Sequence, residues 1–507
     1  MRLTEVGLPR HAPLDLYTLL RQALGADGVF VLEGLGGPKE QRGPAVVGLG
    51  RLAEIRVYAD HIDIDGCATV LKSLVTRARA VGLTETGETG EIGETGAAAD
   101  SESTVCFAID DSGQVWQLLE SANLLFDVRT EVPTSSYAFG FLAVLGYEAA
   151  WHMEKLPPRA GGTGTPDLTL TLFRDTVSYD SESGAVRLLR ADLEGEGEAF
   201  PRRSSVDVVE FARQAGRMAG PPPLPPAPRP RAVEDSVPRE TFLTWARQCL
   251  AHIRSGDIYQ IQIGHRIDVE SDLRPLDVYR RLSHRNPSPY MYLVPYAGST
   301  LIGASPELFF RTRNGEITMR PIAGTTRRGT DDEENLRRIK AMQTSSKEQA
   351  EHIMLVDLCR NDIGRVSLPG TLPVDQLMAV ESFSHVFHLV STVTGRLAPE
   401  ASVWDTMRAT FPAGTMSGAP KVRAMEIIAG LEREPRGSYA GAVGLIDVRG
   451  WSELALCIRT IAYDGRRYSA QSSAGIVAES QPEAEWDETL AKLGAAYWAL
   501  TGEELTA

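Results

Sequence analysis

A proline-rich segment divides the chain, and its sequence is Gly220-Pro-Pro-Pro-Leu-Pro-Pro-Ala-Pro-Arg-Pro-Arg231. Proline fixes the backbone φ angle and has no N–H to donate, so this stretch interrupts regular secondary structure. We expect an extended, semi-rigid linker or long surface crossing at 220–234, between domains at 1–219 and 235–507. The chain has 507 residues, so both parts are long enough to bury a core.

The two parts differ in their pattern of apolar residues. Before the linker, short apolar runs at 28–32, 45–49, 105–109 and 168–172 predict strands, which makes the first domain β-rich. Residues 82–103 form a Thr, Glu and Gly run with few large apolar side chains, and we predict a mobile loop there. After the linker, helical and strand patterns alternate, which indicates an α+β protein.

The charge of the chain limits its partners. Lys and Arg number 52 against 67 Asp and Glu, which gives a net charge of -15. Such a field repels phosphate backbones and anionic lipid, so nucleic acid and membrane surfaces are unexpected partners. An anionic substrate would need local neutralisation by cations, backbone N–H groups or a metal ion.

The termini and cysteines give no sign of export. The first 17 residues lack an apolar signal segment, and no apolar stretch reaches the roughly 18 residues of a membrane span. The five cysteines are odd in number and widely spaced, with no Cys-x-x-Cys pair, so neither a disulfide framework nor a zinc site is predicted. We expect a cytoplasmic protein.

A helix and a strand follow the linker. Apolar residues at helical spacing predict a helix from Pro238 to about Ser255. The next segment, 258–263, alternates apolar and polar residues, which places Gln260 and Gln262 on one face of a strand. These amides either line a site or form a ladder on a solvated face.

Two predicted helices each carry a pair of glutamates three residues apart. Glu348 and Glu351 share one helix face, and Glu485 and Glu488 share another. A capping box at 480–483 predicts the start of the second helix. The pairs are either solvated faces, with an ion pair from Glu488 to Lys492, or oxygen ligands for Mg²⁺.

Three glycine-containing turns accompany these helices. Residues 411–421 read Phe-Pro-Ala-Gly-Thr-Met-Ser-Gly-Ala-Pro-Lys and lead into a predicted helix, so backbone N–H groups and the Thr415 hydroxyl can approach a ligand. The Walker A order is absent, which disfavours nucleotide binding. Further turns lie at 321–325 and 473–475.

Taken together, these motifs resemble those of the chorismate-utilising enzymes, most closely the large subunit (component I) of anthranilate synthase. They follow the family's order after the linker, whereas the match before it is loose. The motifs are Gly256-Asp-Ile-Tyr-Gln260, Asn286-Pro-Ser-Pro-Tyr-Met291, Ala304-Ser-Pro-Glu307, Pro321-Ile-Ala-Gly-Thr325, Ala350 to Asp357, Arg360-Asn-Asp362, Ser384-His-Val-Phe-His388, Phe411 to Lys421, Tyr439 to Gly444, Ile458-Arg-Thr460, Ala474-Gly-Ile-Val477 and Glu485 to Lys492.

The resemblance implies a fold and a site. The fold is a large β-sandwich core flanked by helices. Mg²⁺ held by Glu351 and Glu488, with Glu348 and Glu485 acting directly or through water, would meet the ring carboxylate of chorismate. Glu307 would be the general acid for the C4 hydroxyl, and His388, with His385 as the other candidate, would help to remove the C2 proton or orient the substrate. Tyr439 and Arg459 would bind the enolpyruvyl carboxylate. The remaining implied site residues are Gly324, Thr325, Thr415, Ser473, Ala474, Gly475 and Lys492.

Within this resemblance, the residues at two positions indicate which nucleophile attacks chorismate. Relatives that use water carry a lysine base where this chain has Gln260, and an amide does not activate water. The 4-amino-4-deoxychorismate synthases carry a lysine where this chain has Ala323. Ammonia remains, and because no Gly-x-Cys-x-Gly glutaminase elbow is present, we expect a separate amidotransferase subunit or free ammonium to supply it.

Two departures from the family pattern stand out. The family's Gly-Ala-Gly is Ser473-Ala-Gly475 here. One wall of the tryptophan effector pocket is present as Pro289, Tyr290 and Met291, whereas the opposite wall reads Glu33-Gly34 and has lost a serine hydroxyl. We therefore expect weak tryptophan inhibition and a gain in sensitivity from Gly34→Ser.

The favoured function is formation of anthranilate with loss of pyruvate. A 2-amino-2-deoxyisochorismate synthase, which keeps the enolpyruvyl group, is the first alternative, and a 4-amino-4-deoxychorismate synthase component I is the second. From another class, the chain is a non-catalytic, ligand-sensing relative whose acidic helix faces are only solvated.

Overall fold

Antiparallel pairing between strands that are distant in sequence organises the fold. This computed structural model describes residues 1–89, 103–159, 164–193, 206–218, 220, 223–383 and 386–506. Neighbouring strands in these ranges pair antiparallel throughout. Hydrogen-bonded pairing links them into one continuous, strongly curved sheet.

The strands are β1 (Arg2–Leu8), β2 (Val29–Glu33), β3 (Ala45–Val57), β4 (His61–Gly66), β5 (Thr84–Thr89), β6 (Thr104–Ala108), β7 (Gly140–Leu145), β8 (Leu168–Tyr179), β9 (Val186–Asp192), β10 (Ala232–Asp235), β11 (Gln260–Glu270), β12 (Tyr290–Tyr296), β13 (Ser299–Ser305), β14 (Leu308–Arg313), β15 (Glu316–Met319), β16 (Ile322–Arg327), β17 (Val374–Ser382), β18 (Val386–Arg396), β19 (Gly418–Ala419), β20 (Ala442–Asp447), β21 (Ser452–Leu456), β22 (Thr460–Tyr463) and β23 (Tyr468–Ile476). The helices are α1 (Pro13–Leu24), α2 (Ala68–Ala80), α3 (Ser112–Asn123), α4 (Val208–Ala215), α5 (Arg239–Arg254), α6 (Pro275–Arg285), α7 (Asp332–Thr344), α8 (Ser346–Gly364), α9 (Val403–Thr410), α10 (Lys421–Leu431) and α11 (Pro482–Thr501).

A shared apolar layer lies between facing parts of the sheet. Phe30 of β2 and Tyr292 of β12 belong to the same buried cluster as Leu142 of β7 and Val443 of β20. Helices cover the outer faces, with α1, α6 and α11 packed on one cluster and α5 and α10 on another. The predicted α+β fold with a β-sandwich core flanked by helices is confirmed.

Strands from both sides of the proline-rich segment pair with each other. Met291 of β12 lies opposite Glu33 of β2, and Val443 of β20 lies opposite Val144 of β7. Residues 223–230 have no regular secondary structure, and β10 begins at Ala232. The core is therefore built jointly by residues that precede and follow the linker.

The elements predicted from periodicity are present, with two corrections. Helix α5 matches the predicted helix after the linker. The predicted loop at 82–103 begins instead with β5, which pairs with β6, and residues 90–102 lie outside the described part of the chain. The predicted capping box is wrong, because Gln481 is the N-cap of α11 and the Ser480 hydroxyl accepts the N–H of Val477 at 3.0 Å.

No helix in the described ranges is both long enough and apolar enough to cross a membrane.

Candidate active site

The pairing of β11 with β23 brings two glutamine side chains against a glycine. Gln262 lies opposite Gly475 in the strand register. A Cβ on Gly475 would lie 2.9 Å from Nε2 of Gln262 and 3.1 Å from Nε2 of Gln260. Both glutamines are buried, so they do not form a ladder on a solvated face, and they remain candidates for the lining of a site.

The Ser473 hydroxyl orients one of these amides. It donates to Oε1 of Gln262 at 2.9 Å and lies 2.6 Å from the Tyr439 hydroxyl. Because Oε1 of Gln262 is held in this way, its Nε2 is directed to the opposite side. The neighbouring Ala474 side chain is fully buried in a different apolar cluster, so this residue offers only its backbone to the site.

Gln260 leaves a buried acceptor without a partner. Gln260 is 1% exposed, and its Oε1 has no hydrogen-bond partner among the described residues. An unsatisfied buried carbonyl is costly unless a ligand supplies a donor. The atom therefore marks a position where a bound N–H or O–H group would be stabilised.

Arg459 occupies a strained position directly before β22. Its φ angle is 52°, in the left-handed region that residues with a Cβ adopt at a cost. Nη1 donates to the Lys492 carbonyl at 3.0 Å. Burial lowers the pKa of Arg459, and the nearby Tyr439 and Glu488 partly oppose that effect. An arginine so placed has binding capacity left for an anion.

Glu307 is a buried carboxyl group at the end of the β13–β14 connection. Burial raises its pKa to about 8, although the Thr415 hydroxyl, which donates to Oε1 at 3.2 Å, and the charge of Lys492 lower it. The group is therefore protonated at neutral pH and able to donate a proton. Glu307 is therefore not an exposed turn carboxylate, although it directly follows Pro306 in a turn between two strands.

His388 on β18 is held by the turn at 324–325. Nδ1 lies 2.9 Å from the Thr325 hydroxyl and 3.4 Å from the Gly324 carbonyl oxygen. Burial lowers the pKa of His388 to about 4, and Arg459 lowers it further. The imidazole is therefore neutral at pH 7 and can accept a proton. The other candidate, His385, lies outside the described residues.

Two of the four helix glutamates, Glu348 and Glu488, lie beside residues of this cluster. Gly324 has a φ angle of 63°, and a Cβ there would lie 3.1 Å from Oε2 of Glu348 on α8. On α11, Glu485 is buried and Glu488 pairs with Lys492 at 2.6 Å. Lys492 also donates to the Ser473 carbonyl oxygen at 2.8 Å.

The donor chemistry of these glutamates suits Mg²⁺. All are carboxylates, and Mg²⁺ takes oxygen ligands together with several waters and substrate oxygens. Within the described ranges, the four side chains do not form a compact set of three ligand atoms within 4.8 Å of one another. Water and substrate oxygens would have to complete the coordination.

Arg436 is a structural residue of the site that sequence reasoning missed. Its guanidinium pairs with Glu432 at 2.7 Å and donates to the carbonyl oxygens of Met416 and Gln262 at 2.9 and 2.8 Å. The i,i+4 spacing of Glu432 and Arg436 was visible in the sequence, but that spacing is typical of a surface pair. The side chain is in fact buried, and it supports the strand that carries the two glutamines.

Comparison with known proteins identifies the family of this chain. Residues 80–497 match the family described as chorismate binding enzyme. The chain belongs to this family, and it is an enzyme that acts on chorismate.

Two sequence relatives and one solved structure show which proteins this chorismate-binding enzyme is similar to. A 2-amino-4-deoxychorismate synthase from Streptomyces globisporus is 42% identical over 506 residues, covering 100% of this chain and 97% of the relative. Anthranilate synthase component 1 from Streptomyces coelicolor is 41% identical, covering 73% and 74%. The crystal structure of anthranilate synthase component I from Streptococcus pneumoniae TIGR4 superposes with a TM-score of 0.70 at 29% identity, covering 90% and 92%.

The region that resembles an effector pocket is tightly closed. The N–H groups of Leu35 and Gly36 donate to the Ser288 carbonyl oxygen at 3.0 and 3.1 Å, and Gly43 donates to that of Pro289 at 2.9 Å. A Cβ at Gly36 would lie 2.1 Å from the Pro287 carbonyl oxygen. Glycine therefore allows this loop to lie directly on the opposite wall.

The predicted wall residues are already engaged. Glu33 is buried, burial raises its pKa, and its carboxylate accepts a hydrogen bond from Tyr279 at 2.6 Å. Tyr290 and Met291 are also buried, and Met291 lies opposite Glu33 in the sheet. An effector would have to displace these contacts.

We predict that Gly34→Ser destabilises the protein and brings no gain in tryptophan sensitivity, which reverses the sequence-based expectation. A Cβ there would lie 2.5 Å from Cβ of Arg42, so the loop must shift. Overpacking of this kind costs about 1–3 kcal/mol. Urea unfolding and tryptophan titration measure the two effects, with Gly7→Ser, whose Cβ would meet nothing within 4 Å, as the control. Strong inhibition by micromolar tryptophan in the variant would contradict this prediction.

Proposed function

We propose that this enzyme adds ammonia at C2 of chorismate, expels the C4 hydroxyl as water and releases 2-amino-4-deoxychorismate with its enolpyruvyl group intact. The observation that carries the proposal is the 42% identity with a 2-amino-4-deoxychorismate synthase along the whole chain. The anthranilate synthase of similar identity covers 73% of the chain. The reaction balances as chorismate plus ammonia giving the aminated product plus water.

The proposed product is that of the first alternative from the sequence. Both 2-amino-4-deoxychorismate and 2-amino-2-deoxyisochorismate describe a ring with an amino group at C2, an enolpyruvyl ether at C3 and no C4 hydroxyl. The expectation of anthranilate, the favoured one from the sequence, is not confirmed, and it becomes the second candidate.

Ser473 supports a product that keeps the enolpyruvyl group. Its hydroxyl contacts both Tyr439 and Gln262, whereas a glycine at this position would offer neither contact. Tyr439 and Arg459 are the residues that the family resemblance assigns to the enolpyruvyl carboxylate. A fixed tyrosine hydroxyl would hold this group in one orientation while the ring is aminated.

Different residues act on the departing hydroxyl and on the attacking ammonia. Protonated Glu307 gives its proton to the departing C4 hydroxyl, and Thr415, its hydrogen-bond partner at 3.2 Å, orients it. The buried Oε1 of Gln260 accepts an N–H of ammonia, which leaves the nitrogen lone pair free for attack. An amide is too weak a base to activate water, so attack of water at C2 is disfavoured. A separate amidotransferase subunit or free ammonium supplies the ammonia.

Mg²⁺ is part of the proposal. Glu351 and Glu488 would hold it, with Glu348 and Glu485 acting directly or through water. When bound, it would supply positive charge for the ring carboxylate of chorismate. In a protein of net charge -15, this local neutralisation answers the repulsion that the substrate would otherwise meet.

One observation favours anthranilate synthase as the second candidate. Loss of pyruvate requires removal of the C2 proton, and the neutral His388, with its pKa lowered to about 4 by burial, is a suitable acceptor. Turnover assays decide between the candidates.

The product distinguishes them directly. Wild-type enzyme with chorismate, Mg²⁺ and ammonium should give a product that mass spectrometry shows to retain the enolpyruvyl group, and a coupled lactate dehydrogenase assay should detect no stoichiometric pyruvate. Reactions without ammonium should leave chorismate unchanged. Fluorescent anthranilate formed together with an equal amount of pyruvate would overturn the proposal in favour of the second candidate.

Replacing the metal-ligand candidates should abolish turnover without unfolding the chain. Glu351→Gln and Glu488→Gln each remove a negative oxygen donor, so we expect at least a roughly hundredfold loss of activity, equivalent to about 2.7 kcal/mol. The matched control is Glu483→Gln, because Glu483 is an exposed glutamate in the first turn of α11, the helix that carries Glu488. Calorimetry should show Mg²⁺-dependent chorismate binding in the control but not in the two variants. Full activity in excess chelator would refute the assignment.

The activity should fall as the pH rises through about 8. Glu307 must be protonated to act as an acid, and burial raises its pKa to about 8 in the free enzyme. Above that pH, kcat/KM should fall by roughly tenfold per unit. The measurement requires a constant concentration of unprotonated ammonia at each pH. Glu307→Gln should lose most activity, and a wild-type profile that stays flat to pH 10 would show that another group is the acid.

A further inference from the structure

Strands β4 and β6 bring a histidine, an aspartate and a cysteine together, away from the residues of the chorismate site. His61 and Asp63 alternate along β4 and so point to one face, while Ile62 and Ile64 between and after them are buried. Cys106 of β6 lies directly opposite Asp63. One potential ligand atom from each of the three lies within 4.8 Å of the others.

The histidine is oriented as a metal ligand would be. Its Nδ1 lies 2.7 Å from Oδ1 of Asp60, which leaves the other ring nitrogen as the available donor. Histidines that bind metals usually donate their second ring N–H to a carboxylate in this way, which fixes the ring and increases its basicity. The Tyr58 ring stacks on His61 at 4.3 Å and restricts its rotation.

The surrounding charge favours a cation. Arg56 approaches Asp63 at 3.8 Å, but its stronger contacts are with Asp65 at 2.7 Å and Glu54 at 3.3 Å. Arg51 also pairs with Asp65. The charged side chains that surround the group are three arginines, Arg51, Arg56 and Arg159, and four carboxylates, Glu54, Asp60, Asp63 and Asp65. The carboxylates therefore outnumber the arginines by one.

The three side chains are partly accessible to solvent, and they offer three different types of ligand atom. His61, Asp63 and Cys106 are each only partly buried, whereas the other four cysteines are buried. Imidazole nitrogen, carboxylate oxygen and thiolate sulfur are the three ligand types that Zn²⁺ accepts, and open sites combine three protein ligands with a water.

We propose that His61, Asp63 and Cys106 bind Zn²⁺, with water as the fourth ligand. The Cys106 thiol loses its proton to solvent as the sulfur–metal bond forms, and the hydrogen bond between this thiol and Asp63 is replaced by coordination of both groups. The ion would link β4 to β6 in the N-terminal part. The sequence-based expectation of no zinc site rested on the lack of a Cys-x-x-Cys pair, and this cluster comes from residues separated by more than forty positions.

Cobalt tests the ligand set directly. Titration of the untagged, full-length enzyme with Co²⁺, a spectroscopic substitute for Zn²⁺, should give a thiolate-to-metal charge-transfer band in the near ultraviolet. Competition with a zinc indicator should show at least tenfold weaker Zn²⁺ binding in His61→Gln, Asp63→Asn and Cys106→Ser. Zn²⁺ should also slow modification of the Cys106 thiol by a disulfide reagent at least tenfold.

His284→Gln, an exposed histidine on α6, is the matched control and should leave both signals unchanged. Retained chorismate turnover in each variant verifies folding, because none of these residues belongs to the proposed catalytic machinery. A missing charge-transfer band, or a band and Zn²⁺ affinity that survive Cys106→Ser, would overturn the proposal.

Discussion

The close contact of Gln260 and Gln262 with Gly475 is the constraint on which the rest of the site depends. Across β11 and β23 the register places Gln262 opposite Gly475 and Gly264 opposite Ser473. A slip of one residue would turn both amides to the opposite face of the sheet. The absence of a side chain at Gly475 leaves room for the amides, because a Cβ there would lie only 2.9 and 3.1 Å from their nitrogens.

Two remote contacts hold that register in place. Buried Arg436 donates to the Gln262 carbonyl oxygen, and the backbone N–H groups of Arg436 and Gly437 donate to Glu148 at 2.8 and 3.0 Å. Burial raises the pKa of Glu148 to about 7, although the hydrogen bond from the Arg436 N–H lowers it. Because Glu148 precedes the linker, the N-terminal part of the chain supports β11 through Arg436.

Desolvation sets the protonation states that the chemistry needs. Burial raises the pKa of Glu307 to about 8 and lowers that of His388 to about 4. Between these values, both groups are neutral, so the carboxyl can donate a proton while the imidazole can accept one. Opposite shifts of an acid and a base by one environment are how such sites separate their roles. An enzyme that retains the enolpyruvyl group would have to keep His388 from reaching the C2 proton.

The sequence by itself determined the α+β class, several helices and strands on both sides of the linker, the spacing of the glutamate pairs on their helices and the lack of a lysine at Gln260 and Ala323. These properties depend on local periodicity and residue type, which backbone geometry converts into structure within a few residues. Tertiary structure alone decided that Glu307 and Arg436 are buried, that the loop after Glu33 closes on its opposite wall, and that Cys106 meets His61. Burial and proximity arise from residues far apart in the chain, and the resulting loss of solvation, which sets the pKa values and the ligand geometry, has no local signature in the sequence.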